Sequence, residues 1–291
     1  MTGSPLPRYG AVVAMLAALG FGFPVTGTAA PAMDPIEYVN LGDSFSAGVG
    51  LLPIQAGSPL YCRRSTRNFA HVIAERRGYR LIDVSCGSAT TEDLYRPQLP
   101  GVAPQLDAVT ATTRLITLTL GGNNNAVFAD SVAKCGLAFA LEPTRDSPCR
   151  DSYGDYFEAA ITARTYPALI QALEGIHAKA PQAQVIIAGY PWLVPQQGTC
   201  FPEMPIAAGD YSYFRGIQAT LNDTVRRAAQ ASGTTYVDMS AASEGHDACQ
   251  PADRRYAEPL IFANQFMPLH PNAAGETAIA EEIAKVIDDG A

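Results

Sequence analysis

The chain has 291 residues, of which 47% are hydrophobic and 16% charged, and its formal net charge is −8. That is enough apolar material for one large domain or two small ones. The acidic balance and the lack of any clustered run of Lys and Arg argue against nucleic acid or an anionic membrane surface as a partner.

Residues 1–32 have the layout of a secretory signal peptide. Arg8 supplies the positive charge, Ala11 to Phe23 is a short apolar run that stops at Pro24, and Gly27-Thr28-Ala29 or Ala30-Pro31-Ala32 offers a cleavage site. The run is short for a bilayer span of roughly 20 residues. A mature domain from 33 to 291 is expected, without a stable membrane anchor.

Ile36 to Leu41 is predicted as a strand that ends at Gly42-Asp43-Ser44. Residues 51–67 are rich in Pro, Gly and Ser and predict a loop. Phe69 to Arg77 has helical spacing and Gly78 sits where a C-cap glycine would. Leu81 to Val84 predicts a second strand, running into Cys86-Gly87-Ser88-Ala89. Pro104 to Val109 predicts a short helix. Leu115 to Leu120 predicts a third strand, apolar or β-branched throughout, as suits a parallel strand covered on both faces. It stops at Gly121-Gly122-Asn123. Residues 135–154 predict a loop holding two cysteines, and Tyr156 to Ala180 a long helix. Strands are predicted over Gln184 to Gly189 and Thr235 to Met239, with a Pro-rich loop from Pro191 and a helix over Tyr213 to Ala231 between them. After a long irregular segment, His270-Pro271-Asn272 precedes a last helix from Ala273 to Asp288. Strands alternating with helices imply a parallel sheet covered by helices on both faces.

Three strand ends carry similar chemistry: Asp43-Ser44, Gly87 and Gly122-Asn123. Singly, each is ordinary turn material. In a parallel sheet they share one edge, where ligands bind. Ser44 is a candidate nucleophile that needs a base and a site for an oxyanion. The N–H groups of Ser44 and Gly87 and the amide of Asn123 could supply that site. Of the four histidines, His71 and His177 fall within predicted helices and His246 beside Cys249. His270 lies in a loop at an element boundary, where catalytic residues concentrate. The six cysteines, Cys62, Cys86, Cys135, Cys149, Cys200 and Cys249, form an even set that suggests disulfides in an exported chain, and their spacing does not choose the pairing. Without a Cys-x-x-Cys, zinc or thioredoxin-like chemistry is not indicated.

Gly42-Asp43-Ser44-Phe45, Gly87, Gly121-Gly122-Asn123 and His270-Pro271-Asn272 resemble the GDSL, or SGNH, hydrolase family in order and spacing. Cys62-Arg63-Arg64-Ser65, Cys86-Gly87-Ser88-Ala89-Thr90-Thr91 and Gly245-His246-Asp247-Ala248-Cys249 resemble its secreted actinobacterial lipase/esterase branch. The resemblance implies a flavodoxin-like three-layer αβα sandwich and disulfides paired in chain order. It places the nucleophile on Ser44, the base on His270 and the oxyanion donors on Ser44, Gly87 and Asn123. It implies no metal or organic cofactor.

Two positions depart from that pattern. Asn124 stands where the family usually has Asp, which should change a local hydrogen bond. Met267 stands where the family has the third triad member. The expectation is therefore a Ser–His dyad whose imidazole is oriented by the carbonyl of Met267 or of a neighbour, with Asp238 and Asp247 as displaced alternatives. The expected activity is hydrolysis of carboxylic esters through an acyl-enzyme, by a secreted monomer acting on a small-molecule or lipid ester. Leu51, Leu52, Phe128 and Trp192 are candidates for an acyl pocket, and the loops 51–67, 135–154 and 191–211 for its entrance. A polysaccharide deacetylase or transacylase, and a glycan- or lipid-binding protein on the same fold, are the alternatives.

Overall fold

The computed structural model describes residues 1–3 and 35–289, so the expected leader, beyond its first three residues, lies outside the described residues. From Pro35 onward the chain builds a five-stranded sheet in the order β2-β1-β3-β4-β5, every neighbouring pair parallel. The strands are β1 (Glu37–Asn40), β2 (Arg80–Asp83), β3 (Leu115–Leu118), β4 (Gln184–Ala188) and β5 (Thr235–Val237). All five match predicted strands, each ending a residue or two before its predicted carboxyl end. In register, Val39 lies between Ile82 and Ile116.

The period of two along each strand sorts side chains to two faces. Val39, Ile116, Leu118, Val185 and Ile187 enter one core, against helices α6 (Tyr166–Lys179) and α7 (Asp210–Ser232). Tyr38, Leu115, Ile186 and Ala188 enter the other, against α2 (Phe69–Arg77) and α9 (Ala273–Asp289). All four residues of β3 are buried. Burying a Leu or Ile side chain contributes about 1.5–3 kcal/mol, so this central strand anchors both layers. The result is the expected three-layer αβα sandwich. The chain crosses from β2 over β1 to β3, which puts the reversal of strand order between β1 and β3, where open α/β sheets bind ligands.

Several predicted elements change. The expected loop at 135–154 begins inside a helix, α3 (Val127–Leu141), and also holds α4 (Pro148–Tyr153). Helix α3 buries only Val127, Ser131 and Cys135, so one thin stripe rather than a broad apolar face holds it. The helix expected over 156–180 is broken into α5 (Tyr156–Ala160), a π-helical turn over Ile161–Thr165, and α6. The short helix near 104 is a 3-10 turn, Gln105–Ala108. Two further single-turn helices follow strand ends: α1 (Ser44–Ala47) and α8 (Met239–Ala242). Gly78 caps α2 in the left-handed conformation, as expected. The disulfides pair in chain order, Cys62–Cys86, Cys135–Cys149 and Cys200–Cys249.

Candidate functional site

The turn out of β1 is set by Gly42. Its φ is +106°, and a Cβ there would lie 2.2 Å from the Thr119 carbonyl oxygen, so only glycine fits. Gln105 brackets this residue, accepting from Gly42 N–H at 2.6 Å and donating to its carbonyl at 2.9 Å. Asp43 follows as the N-cap of α1, its Oδ1 accepting from Phe45 N–H at 3.0 Å and from the Thr119 hydroxyl at 2.8 Å. Its Oδ2 accepts from the Tyr190 hydroxyl at 2.5 Å. Burial pushes the Asp43 carboxyl up to about 6, against the lowering effect of those hydrogen bonds. Its hydrogen bonds to Phe45, Thr119 and Tyr190 all run to the turn's own scaffold, so this carboxylate holds the turn that presents Ser44.

Ser44 is the first residue of α1, and His270 Nε2 lies 2.8 Å from its Oγ. His270 Nδ1 lies 2.8 Å from the Pro268 carbonyl oxygen. A carbonyl only accepts, so Nδ1 carries the hydrogen and Nε2 is free to accept from the serine hydroxyl. The orienting carbonyl, expected at Met267 or a neighbour, is thus the neighbour's, Pro268, and not that of Met267 itself. The Met267 carbonyl accepts from the Gln265 amide at 3.0 Å, and Leu269, at φ +59°, turns the chain so that the imidazole folds back on Pro268. The ring packs near Phe45 and Phe128, with centroids 5.2 and 6.3 Å away. Burial lowers the His270 pKa below the usual histidine value, the Pro268 carbonyl opposes that shift, and the Arg63 charge lowers it further.

The displaced carboxylates stay away. Asp238 caps α8 through Ser240 N–H, and Asp247 accepts from Cys249 N–H and the Gln250 amide. The other histidines are engaged elsewhere: His71 with Asn68, His177 with Thr234, and His246 with the Arg254 carbonyl.

The three expected oxyanion donors differ in availability. Ser44 N–H, at the first helical position, has no acceptor within its helix. Asn123 spends one amide hydrogen on the Ala89 carbonyl at 3.1 Å and keeps a second. Gly87 N–H is committed, donating to the Cys62 carbonyl at 3.1 Å, because the Cys62–Cys86 disulfide holds the two backbones together. Among the described residues, the hole expected from three donors therefore has two that are unspent. Asn124 is satisfied by Thr91, accepting from its N–H at 3.1 Å and donating to its hydroxyl at 2.7 Å.

Two cavities meet at Ser44. One is a narrow slot of about 40 Å³, walled by Phe45, Val127, Phe128, Leu193 and the α7 face Phe214, Ile217 and Leu221. The other is an open cleft of about 240 Å³ that contains His270, Arg63, Tyr61, Ser88 and Met267. Phe128 and Asn123 line both. Of the expected acyl-pocket residues only Phe128 is in place. Leu52 is exposed, Leu51 is buried outside both cavities, and Trp192 stacks under the Arg215 guanidinium at 3.8 Å. The α7 wall was visible in sequence as apolar residues at helical spacing, a pattern shared with any core helix. Tyr190 and Gln105 carried no such signal.

A model of the GDSL-like lipase/acylhydrolase family matches residues 41–278. A Streptomyces coelicolor protein named Lipase 2 is 50% identical over 282 residues, spanning 95% of each chain. Among solved structures, phospholipase A1 from Streptomyces albidoflavus superposes with a TM-score of 0.72 at 26% identity, over 87% of this chain and 99% of that one. The extracellular lipase from Streptomyces rimosus does so with a TM-score of 0.71 at 28% identity, over 86% and 99%.

Proposed function

The chain belongs to the GDSL-like lipase/acylhydrolase family and is a carboxylic ester hydrolase, and from that premise we propose that it is a secreted enzyme working through an acyl-Ser44 intermediate. The observation that carries the mechanism is the chain Ser44 Oγ–His270 Nε2, His270 Nδ1–Pro268 O, each 2.8 Å long. His270 takes the Ser44 proton as Oγ attacks the ester carbonyl. Ser44 N–H and the free Asn123 amide hydrogen stabilise the tetrahedral oxyanion, each donor being worth ~10²–10³ in rate. The carbon–oxygen bond breaks and His270 Nε2 gives its proton to the leaving alcohol. Water then attacks the acyl-Ser44 with His270 as base, regenerating the serine.

The apolar lining of the slot beside Ser44 supports a hydrocarbon acyl chain as its occupant. Export is supported by the leader-like residues 1–32, by the three disulfides and by the Streptomyces rimosus relative described as extracellular. We take the working form to be a monomer from residue 33 that needs no cofactor.

The test is hydrolysis of p-nitrophenyl esters from acetate to palmitate by wild type, Ser44→Ala, His270→Ala and Asp238→Asn. Loss of about 10⁴-fold or more is expected for the first two variants, with Asp238→Asn near wild type. Full activity in Ser44→Ala would remove the mechanism. An inactive wild type whose Ser44 also ignores organophosphonates would leave a binding protein on this fold.

A further inference from the structure

Among the described residues no carboxylate stands behind the His270 imidazole, whose Nδ1–H rests on the Pro268 carbonyl. A neutral carbonyl is a weaker partner for that N–H than a carboxylate would be. Whatever fixes the carbonyl is therefore part of how the base works. Leu269, between Pro268 and His270, stands at φ +59°, a conformation that a residue other than glycine keeps only where its surroundings over-determine it.

Glu258 supplies that constraint. Its carbonyl accepts from Leu269 N–H at 2.9 Å, and its N–H donates to the His270 carbonyl at 3.0 Å. Its buried carboxylate ties down the rest of the same loop. Oε2 accepts from Asn264 N–H at 2.7 Å, and Oε1 from the Asn272 amide at 3.1 Å. Asn272 in turn caps α9, accepting from the N–H groups of Ala274 and Gly275 at 3.0 Å each. Arg255, also buried, meets both carboxylate oxygens, Nε to Oε1 at 3.2 Å and Nη2 to Oε2 at 2.5 Å. One residue thus holds the segment 264–272 at its start, around His270 and at its end.

Stability does not account for such a pair. Desolvating two buried charges can cost as much as their attraction returns, and apolar side chains of similar volume often serve a fold as well. Neither Arg255 nor Glu258 lines the slot or the cleft, so neither is placed to touch a substrate. What the hydrogen bonds of Glu258 share is the loop that carries His270. Resting on the ester-hydrolase reading of Ser44 and His270, we infer that Arg255 and Glu258 are positioning residues for the catalytic base. A triad carboxylate orients the imidazole by direct contact. This one orients the backbone that orients the imidazole.

The experiment compares wild type, Arg255→Lys and the paired variant Arg255→Met with Glu258→Met on p-nitrophenyl butyrate, each well below its own melting temperature. Replacing both charges leaves no unpaired charge buried, so the paired variant is expected to fold. Its kcat should fall about 10- to 10²-fold with KM within about twofold, the signature of a misplaced base and not of lost binding. Arg255→Lys keeps the charge and loses the two-pronged contact, so its kcat should lie between the other two. The second readout is the His270 Nδ1–H proton signal by NMR. The Pro268 carbonyl shelters it in wild type, and in the paired variant it should broaden through exchange with water. A paired variant that melts earlier, yet keeps wild-type kcat per folded molecule and a sharp Nδ1–H signal, makes the pair structural and overturns the inference. Should the paired variant not fold, Arg255→Lys decides by the same two readouts. Hydrolysis that survives Ser44→Ala sinks the mechanism underneath, whereas wild-type kcat in the paired variant sinks the positioning role alone.

Discussion

His270 sets the pH range in which this site can work. It must be neutral to accept the Ser44 proton, and three features act on its charged form. Burial disfavours imidazolium and dominates, the Pro268 carbonyl favours it, and the nearby Arg63 charge disfavours it again. The net direction is down, so the neutral base persists to lower pH than an ordinary histidine would allow. The acid limb of kcat/KM should fall below 6.5 and reach a plateau above it. Asp43 loses its proton near pH 6 in the same window, so following the His270 ring protons by NMR assigns the limb. A His270 titration at or above 6.5 would contradict this account. At this scale, legibility tracked chemistry. Ser44, Asn123 and His270 are scarce reactive types at strand ends or loop boundaries, and the sequence exposes them. The orienting acceptor is a backbone carbonyl, which every residue possesses, so its shift from Met267 to Pro268 depended on a left-handed Leu269 that no motif announces. The commitment of Gly87 N–H to Cys62 is a backbone event of the same kind.

Between elements, Tyr190 ties three strand ends together. It follows β4, donates to Asp43 beyond β1 at 2.5 Å, and accepts from Gly122 N–H beyond β3 at 2.9 Å. Its ring meets Phe45 edge-on at 5.0 Å, and a Cβ on Gly122 would meet that ring at 3.1 Å. The hydroxyl thus fixes the nucleophile turn relative to the turn that carries Asn123. Tyr190→Phe keeps the ring and removes the tie, leaving a buried N–H and a carboxylate oxygen each short of a partner, at a cost of about 1–3 kcal/mol for each. The expected outcome is a fall of about tenfold in kcat on a p-nitrophenyl ester with KM within about twofold, since the hydroxyl positions and does not bind. Unchanged kcat in a destabilised variant would assign Tyr190 to folding alone. The strands were readable because each is a short apolar run cut off by glycine or small polar residues. Helix α3 was not, because its buried stripe is one residue wide and two cysteines and a glycine-bearing stretch suggested a loop. The π-turn at Ile161–Thr165 was hidden because it leaves composition unchanged.

Across the whole molecule the three disulfides divide between stability and site geometry. Cys200–Cys249 closes a separation of 49 residues that contains α7, β5 and α8. Cys62–Cys86 closes 24 and Cys135–Cys149 closes 14. In the chain-entropy model these are worth about 4, 3.5 and 3 kcal/mol, large against a total of about 5–15 for a domain. Paired Cys→Ser variants should therefore lose melting temperature in that order. Activity should follow a different order. The Cys62–Cys86 bridge holds the Cys62 carbonyl on Gly87 N–H and carries Arg63 and Ser88 into the cleft beside Ser44. The Cys149 end of the second bridge sits on α4, where its N–H is held by Asp210, and no residue of α4 lines either cavity. Cys62→Ser with Cys86→Ser should thus depress kcat/KM at a temperature well below its melting point. Cys135→Ser with Cys149→Ser releases one of the three buried residues of α3, the helix that brings Val127 and Phe128 to the slot, and should melt earlier with a smaller loss of rate than the first pair. Equal rates per folded molecule in both variants would mean that the first bridge contributes stability alone, and that Gly87 and Arg63 are held in place by the surrounding loop without it.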